Sequence, residues 1–307
     1  MGSYLGIDIG GTAVKWALLT EEYWVLERGS FPTSSVSSAE EMVEGLLGAI
    51  QPYAGEFQAV GVSVPGTIYE DDPAGTVHKG GSLLYMDGCP LGQELSGQLG
   101  VPVAVENDGK GCALGEYAAG ALKGAHSGVV LAVGTAIGGG IVLDGRVLRG
   151  FHSFAGEFSF LVNDADDPAS GIFSGACGWR SLRTAILEAK GLEGDPAYED
   201  IDGRALFEWI DAGDKGALKG LEDYARPFAG AIINLQVTLD PELFVIAGGI
   251  SGHESLLQAI RNAVHERMDT LPPGNVPEPR IERAKLGNDA NLIGAVLKAR
   301  RLLGEEL

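Results

Sequence analysis

The pattern of apolar and polar positions changes period several times along the chain, and each change predicts an element. Residues 4–10, 14–20 and 23–31 read as three strands in a row, with turns at Gly11-Thr12 and Thr20-Glu21-Glu22. Residues 38–53 switch to a helical period. Ser38 offers a cap, Glu40 and Glu41 follow, and Met42, Val43, Leu46, Leu47 and Ile50 form one apolar stripe. Residues 57–64 predict a buried strand stopped by Pro65-Gly66. A short helix over 91–99 and a strand over 101–105 follow, and the strand ends at Glu106-Asn107-Asp108. Residues 109–120, rich in small side chains, predict another helix.

Beyond residue 127 the pattern restarts. A strand over 129–133 leads into a glycine-rich turn over 134–140 and a strand over 141–143, and Asp144-Gly145 signals a type I′ hairpin turn. The two halves thus open alike, a weak internal repeat of a strand-turn-strand unit. Residues 163–176, rich in Asp, Pro and Gly, predict a loop. Residues 181–265 read as mostly helical, interrupted at Asp240-Pro241, with a strand over 243–247 leading into Gly248-Gly249-Ile250-Ser251. A final helix is expected over 288–303. Strands followed by helices, twice over, predict two α/β domains with a cleft between them.

The chain has 307 residues, ample for a sizeable core. Its 47 glycines are about twice the usual share. They follow no period, which excludes collagen, and they cluster at turns between apolar runs. The net charge of −20 argues against a general nucleic-acid or membrane-surface binder. It does not oppose a nucleotide, because backbone N–H groups and a divalent cation can hold phosphate inside an acidic shell. Three cysteines, Cys89, Cys112 and Cys177, make no disulfide framework. No positively charged leader precedes the first strand, and no apolar run reaches the ~18 residues of a membrane span. A cytoplasmic protein is expected.

Three glycine-rich turns each follow an apolar strand: Asp8–Thr12, 134–140 and 248–251. None is a P-loop or a GxGxxG fingerprint. Asp8 beside the first turn is suited to a hydrated Mg²⁺, which prefers oxygen ligands. Read alone, Glu106-Asn107-Asp108 is a polar turn with an Asp helix cap at Gly109.

Taken together and in order, these stretches resemble the ROK family of sugar kinases, within the actin/Hsp70/hexokinase superfold. The matching residues are Ile7-Asp8-Ile9-Gly10-Gly11-Thr12 with Lys15, Val64-Pro65-Gly66, Glu106-Asn107-Asp108, Gly134-Thr135 with Gly138-Gly139-Gly140, Ala155-Gly156-Glu157 and Gly248-Gly249-Ile250. The resemblance implies an α/β protein of two actin-like (ribonuclease H-like) domains with an ATP and sugar cleft between them. It places 1–118, joined by a C-terminal helix over 289–307, in a sugar and phosphate domain, and 119–288 in a nucleotide-binding domain.

It also implies roles. Asp8 would hold Mg²⁺ through water. Gly10, Gly11, Thr12 and Lys15 would line the phosphate tail, with Gly134 and Thr135 from the other domain. Gly248, Gly249 and Ile250 would lie against the adenosine. Gly66, Ser82, Asn107 and Glu157 would bind the sugar, and Asp108 would be the catalytic base. The chemistry agrees: phosphoryl transfer asks for positioning and charge neutralisation, and a carboxylate can take the proton of an attacking hydroxyl.

The chain departs from the family's pattern on the sugar side. The family's zinc-binding His and Cys run is reduced here to Phe160 and Gly175-Ala176-Cys177-Gly178-Trp179, and a tetrahedral zinc site needs four ligands. No zinc is expected, and Phe158 to Val162 with Trp179 are expected to pack that region instead. Ser82 stands at the family's usual Asn, and Ala136 at a usual Gly. The zinc-less pattern resembles the β-glucoside kinase branch, which implies phosphorylation of the 6-hydroxyl of glucose or a β-glucoside such as cellobiose. Glucokinase, fructokinase and amino-sugar kinase activities are the alternatives within the family. A sugar-sensing regulator without a DNA-binding domain is the alternative of another class. A homodimer is expected, as is common in the family.

Overall fold

The computed structural model describes residues 2–305 except 164, 165, 167–170 and 273. The chain clusters into two compact units, one of 1–124, 140–156 and 288–307, the other of 125–139 and 157–287.

The first unit is built on strands β1 (Ser3–Ile9), β2 (Ala13–Thr20), β3 (Val25–Pro32), β4 (Ala59–Val64) and β5 (Val103–Asn107). They form one sheet of order β3-β2-β1-β4-β5, antiparallel across β3, β2 and β1 and parallel across β1, β4 and β5. Helix α1 (Ala39–Ile50) is capped by Ser38, whose hydroxyl accepts from the Glu41 amide. Helices α2 (Leu91–Leu99) and α3 (Asp108–Ala119) flank β5 in the chain.

Alternation along the strands separates two faces. Leu5, Ile7, Ile9, Val60, Val62, Val64 and Val105 join Met42, Leu46 and Ile50 of α1 in one apolar cluster. The opposite face carries small residues and then a polar one: Gly6 and Asp8 on β1, Gly61 and Ser63 on β4, Ala104 and Glu106 on β5. The last helix of the chain lies on this face. A methyl group on Gly6 would sit 2.7 Å from the Leu292 carbonyl oxygen, and one on Gly61 would overlap the backbone at Ala295. Side chains at either position would hold that helix off the sheet.

The chain continues through β6 (Ser127–Val133), β7 (Ile137–Leu143), β8 (Arg146–Val147), α4 (Phe173–Cys177), α5 (Trp179–Lys190), α6 (Gly203–Asp211), α7 (Lys215–Leu239), β9 (Leu243–Gly248), α8 (Glu254–Met268), β10 (Ile281–Arg283) and α9 (Ala290–Leu302). The second sheet has the order β10-β9-β6-β7-β8, with β6, β9 and β10 parallel. Numbered from its own first strand, it repeats the order of the first sheet. In the second unit α7 packs against α4, α5 and α8. Phe228 of α7 meets the Phe173 ring edge-on at 5.3 Å.

Some expectations need correction. Gly138, Gly139 and Gly140 lie inside β7, not in a turn, because the strand begins at Ile137. A methyl group on Gly139 would overlap the Val130 carbonyl oxygen and crowd the Phe158 ring, so glycine here serves close packing. The expected loop over 163–176 ends in α4, and 164, 165 and 167–170 lie outside the described residues. Phe158 is buried, yet Phe160 is 58% exposed and Val162 also faces solvent, so only part of that stretch packs inward. The hairpin signal holds: Asp144 and Gly145 both have positive φ, as a type I′ turn requires. No helix among the described residues is long and apolar enough to cross a membrane.

Candidate active site

In the first unit the candidate residues gather at the carboxyl ends of three parallel strands, where open α/β sheets bind ligands. Asp8 stands at the end of β1, Pro65-Gly66 follows β4, and Asn107-Asp108 closes β5. Asp8 is only 8% exposed. Burial pushes its carboxyl above the usual range, against the Asn291 side-chain amide, which donates to Oδ1 at 2.9 Å, and the nearby Lys15 ammonium. Lys15 is its antiparallel partner on β2 and Ser63 its parallel partner on β4. The buried Ser63 hydroxyl lies beside the Asp8 carboxylate and favours its charged form.

The turn after Asp8 is pinned from outside. Thr33 Oγ1 donates to the Gly10 carbonyl at 2.6 Å, and the Thr33 amide donates to the Thr12 carbonyl at 3.0 Å. Ser82 reaches the same turn: a methyl group on Gly11 would lie 3.3 Å from its hydroxyl. Gly81, beside Ser82, folds against Pro65 and the Gly66 amide. The Gly66 carbonyl in turn accepts from Asn107 Nδ2 at 2.9 Å. A chain of contacts therefore joins Gly11, Ser82, Gly66 and Asn107.

Asn107 is the N-cap of α3, its Oδ1 accepting from the Lys110 amide at 3.1 Å. That leaves Asp108 as the first helical residue. Its Oδ1 accepts from the Gly109 amide at 2.9 Å and from Asn107 Nδ2 at 3.1 Å, which fixes the orientation of the half-buried carboxylate. The sequence assigns the cap to Asp; the structure gives it to the Asn before it.

In the second unit the turn at Gly134-Thr135 follows β6, while Gly248 closes the adjacent parallel strand β9 and Gly249-Ile250 follow it. Val133 and Gly248 are register partners, which brings the two turns together. Gly248 has φ +100 and leaves no room for a side chain against Val133. The Trp179 amide donates to the Gly134 carbonyl at 3.0 Å, and Ser159 is hydrogen-bonded to both backbone groups of Ile137. The half-buried Glu157 precedes that segment.

The metal question divides in two. Oxygen donors are what a hard divalent cation takes, and the Asp8 carboxylate with the Ser63 hydroxyl beside it in the adjacent strand fits Mg²⁺. Among the described residues no three His, Cys, Asp or Glu side chains group as metal ligands. Cys177 is buried, and burial pushes its thiol well up, away from the thiolate that zinc needs.

Several residues of the site escape sequence reasoning. Thr33, Ser63, Asn291 and the partners of Glu106 carry no local motif. Glu106 is fully buried and bound by Arg149 and Lys298. The only signal available was its place beside Asn107-Asp108.

Compared with known families, the chain matches the one described as ROK family over residues 4–301, and it belongs to that family. It is 29% identical to an N-acetylmannosamine kinase of Citrobacter koseri, covering 97% of this chain and 98% of that one. Among solved structures it is similar to a ROK family glucokinase from Streptomyces griseus in complex with glucose and AMPPNP, at 27% identity and a TM-score of 0.83 over 98% of this chain and 100% of the other. It is also similar to a ROK family protein from Streptococcus pneumoniae in complex with sucrose, at 26% identity and a TM-score of 0.84 over 96% of each chain.

Proposed function

We propose that this protein is an ATP-dependent sugar kinase that phosphorylates the 6-hydroxyl of glucose or a β-glucoside such as cellobiose. The observation that carries the reading is the Asn107-Asp108 turn. It holds a half-buried carboxylate in one orientation among Gly66, Ser82 and the Asp8 turn, at the strand ends of the first unit.

In the reaction the sugar oxygen bonds to the γ-phosphorus while the bond from that phosphorus to the β-phosphate oxygen breaks. Asp108 takes the hydroxyl proton, and ADP leaves. Gly66, Ser82, Asn107 and Glu157 bind sugar hydroxyls. Gly10, Gly11, Thr12, Lys15, Gly134 and Thr135 bind the phosphates, and Gly248, Gly249 and Ile250 the adenosine. Mg²⁺, held by Asp8 through water, would neutralise phosphate charge. Similarity to kinases of glucose and N-acetylmannosamine supports the kinase reading. The absence of zinc-site residues in the sequence and the sucrose complex of a relative support a glucoside substrate. The protein would act in the cytoplasm as a homodimer.

The test is ADP release with Mg-ATP across glucose, cellobiose, an alkyl β-glucoside, fructose, mannose and N-acetylmannosamine. Turnover on cellobiose or the β-glucoside supports the reading. Turnover on a free monosaccharide alone keeps the kinase and discards the glucoside. Silence with sugar binding intact points to a sensor.

A further inference from the structure

We propose that Arg149 is a positioning residue for the Asn107-Asp108 turn, acting through the buried Glu106; this rests on the kinase reading above. Glu106 lies one residue before Asn107 on the small-residue face of β5 and is 0% exposed. A carboxylate so buried must be fully paired. Its Oε1 accepts from the Asn107 backbone amide at 2.9 Å and from Arg149 Nη1 at 2.9 Å. Its Oε2 faces Arg149 Nη2 at 2.5 Å and Lys298 Nζ at 3.2 Å. One carboxylate oxygen therefore links the guanidinium to the backbone of the catalytic turn.

The third edge of the guanidinium closes a ring. Arg149 Nε pairs with Glu70, four residues beyond Gly66. The Gly66 carbonyl accepts from Asn107 Nδ2, and the same amide nitrogen donates to Asp108 Oδ1. The ring thus runs from Arg149 through Glu106, Asn107 and Gly66 to Glu70 and back. The Arg149 carbonyl also accepts from the Ala155 amide at 2.9 Å, which closes the loop that leads into Gly156 and Glu157. The Arg149 side chain so fixes the turn of the proposed base, while its backbone carbonyl anchors the start of the segment carrying a proposed sugar ligand. Only a planar fork can hold two oxygens of Glu106 and a third of Glu70 together; a lysine offers one point charge.

Arg149 reaches Asp108 through Glu106 and Asn107, so its loss moves the base without removing it. In Arg149→Met, kcat on glucose or cellobiose falls roughly 10–100-fold, the scale of a misplaced catalytic group, while the KM for ATP holds. Arg149→Lys keeps the buried charge and the fold and still loses about tenfold in kcat, because the fork is gone. The second readout is hydrogen exchange. The amides of Asn107 and Lys110 exchange about tenfold faster in both variants, while those of β1 and α1 do not change. Unchanged kcat in a folded Arg149→Lys protein, a loss confined to KM, or unchanged exchange at Asn107 would each overturn the proposal. If the wild type turns over no sugar, the kinase reading falls separately, and exchange alone decides whether Arg149 holds the turn.

Discussion

Asp108 and Glu106 are both carboxylates within three residues, and their surroundings divide the work. Asp108 keeps part of its surface open and is oriented by short local bonds, so it can meet a substrate proton. Asp108→Asn is expected to lower turnover on the order of 10²–10⁴-fold while sugar and ATP binding persist in calorimetry; near-normal turnover would remove it as the base. For Glu106, burial alone would raise the carboxyl, but Lys298 and the Arg149 fork outweigh it and hold it down to about 2 against an ordinary 4.5. A depressed carboxyl stabilises the fold above its unfolded value. That stabilisation, roughly 3 kcal/mol, is complete above about pH 4.5 and is lost as pH falls through about 2. Glu106→Gln should therefore flatten the dependence of stability on pH between these limits in acid-unfolding titrations; a variant as acid-sensitive as the wild type would contradict this. Asn291 is the corresponding support for Asp8. Asn291→Ala should raise the KM for Mg-ATP several-fold with the sugar KM unchanged, read from initial rates. Asp8, Asn107 and Asp108 were legible in the sequence because each follows an apolar strand. Asn291 and Arg149 were not, since each acts on a residue more than forty positions away.

At the scale of elements, α9 organises the first unit. Asn291 and Lys298 are seven residues apart, hence on one helix face, and they hold Asp8 and Glu106 on two different strands. Between them Gly294 lies where a methyl group would overlap the Gly111 carbonyl of α3, and Ala295 lies against Gly61 of β4. Gly61→Ala and Gly294→Ala should each cost about 1–3 kcal/mol, the usual penalty of overpacking, measured by chemical denaturation. Stability within error of the wild type would show that α9 can step back freely. Most elements were readable from period alone, including α1 with its Ser38 cap. Two were not. β10 has three residues, too few for a period, and the start of β7 was hidden by glycines that pack as closely as they turn.

Across the whole molecule, two sheets of the same strand order recur in one chain. The sequence by itself determined the repeated strand-turn-strand plan, the family and the residues at the strand ends, because strand period and turn chemistry are local properties that a reader of the chain can see. Tertiary structure alone decided which side chains steady those residues. A buried charge takes its partner from whatever packs above it, and for Asp8 and Glu106 that partner lies on a helix near the end of the chain or on a loop after β8, brought close only by the packing of the small-residue face.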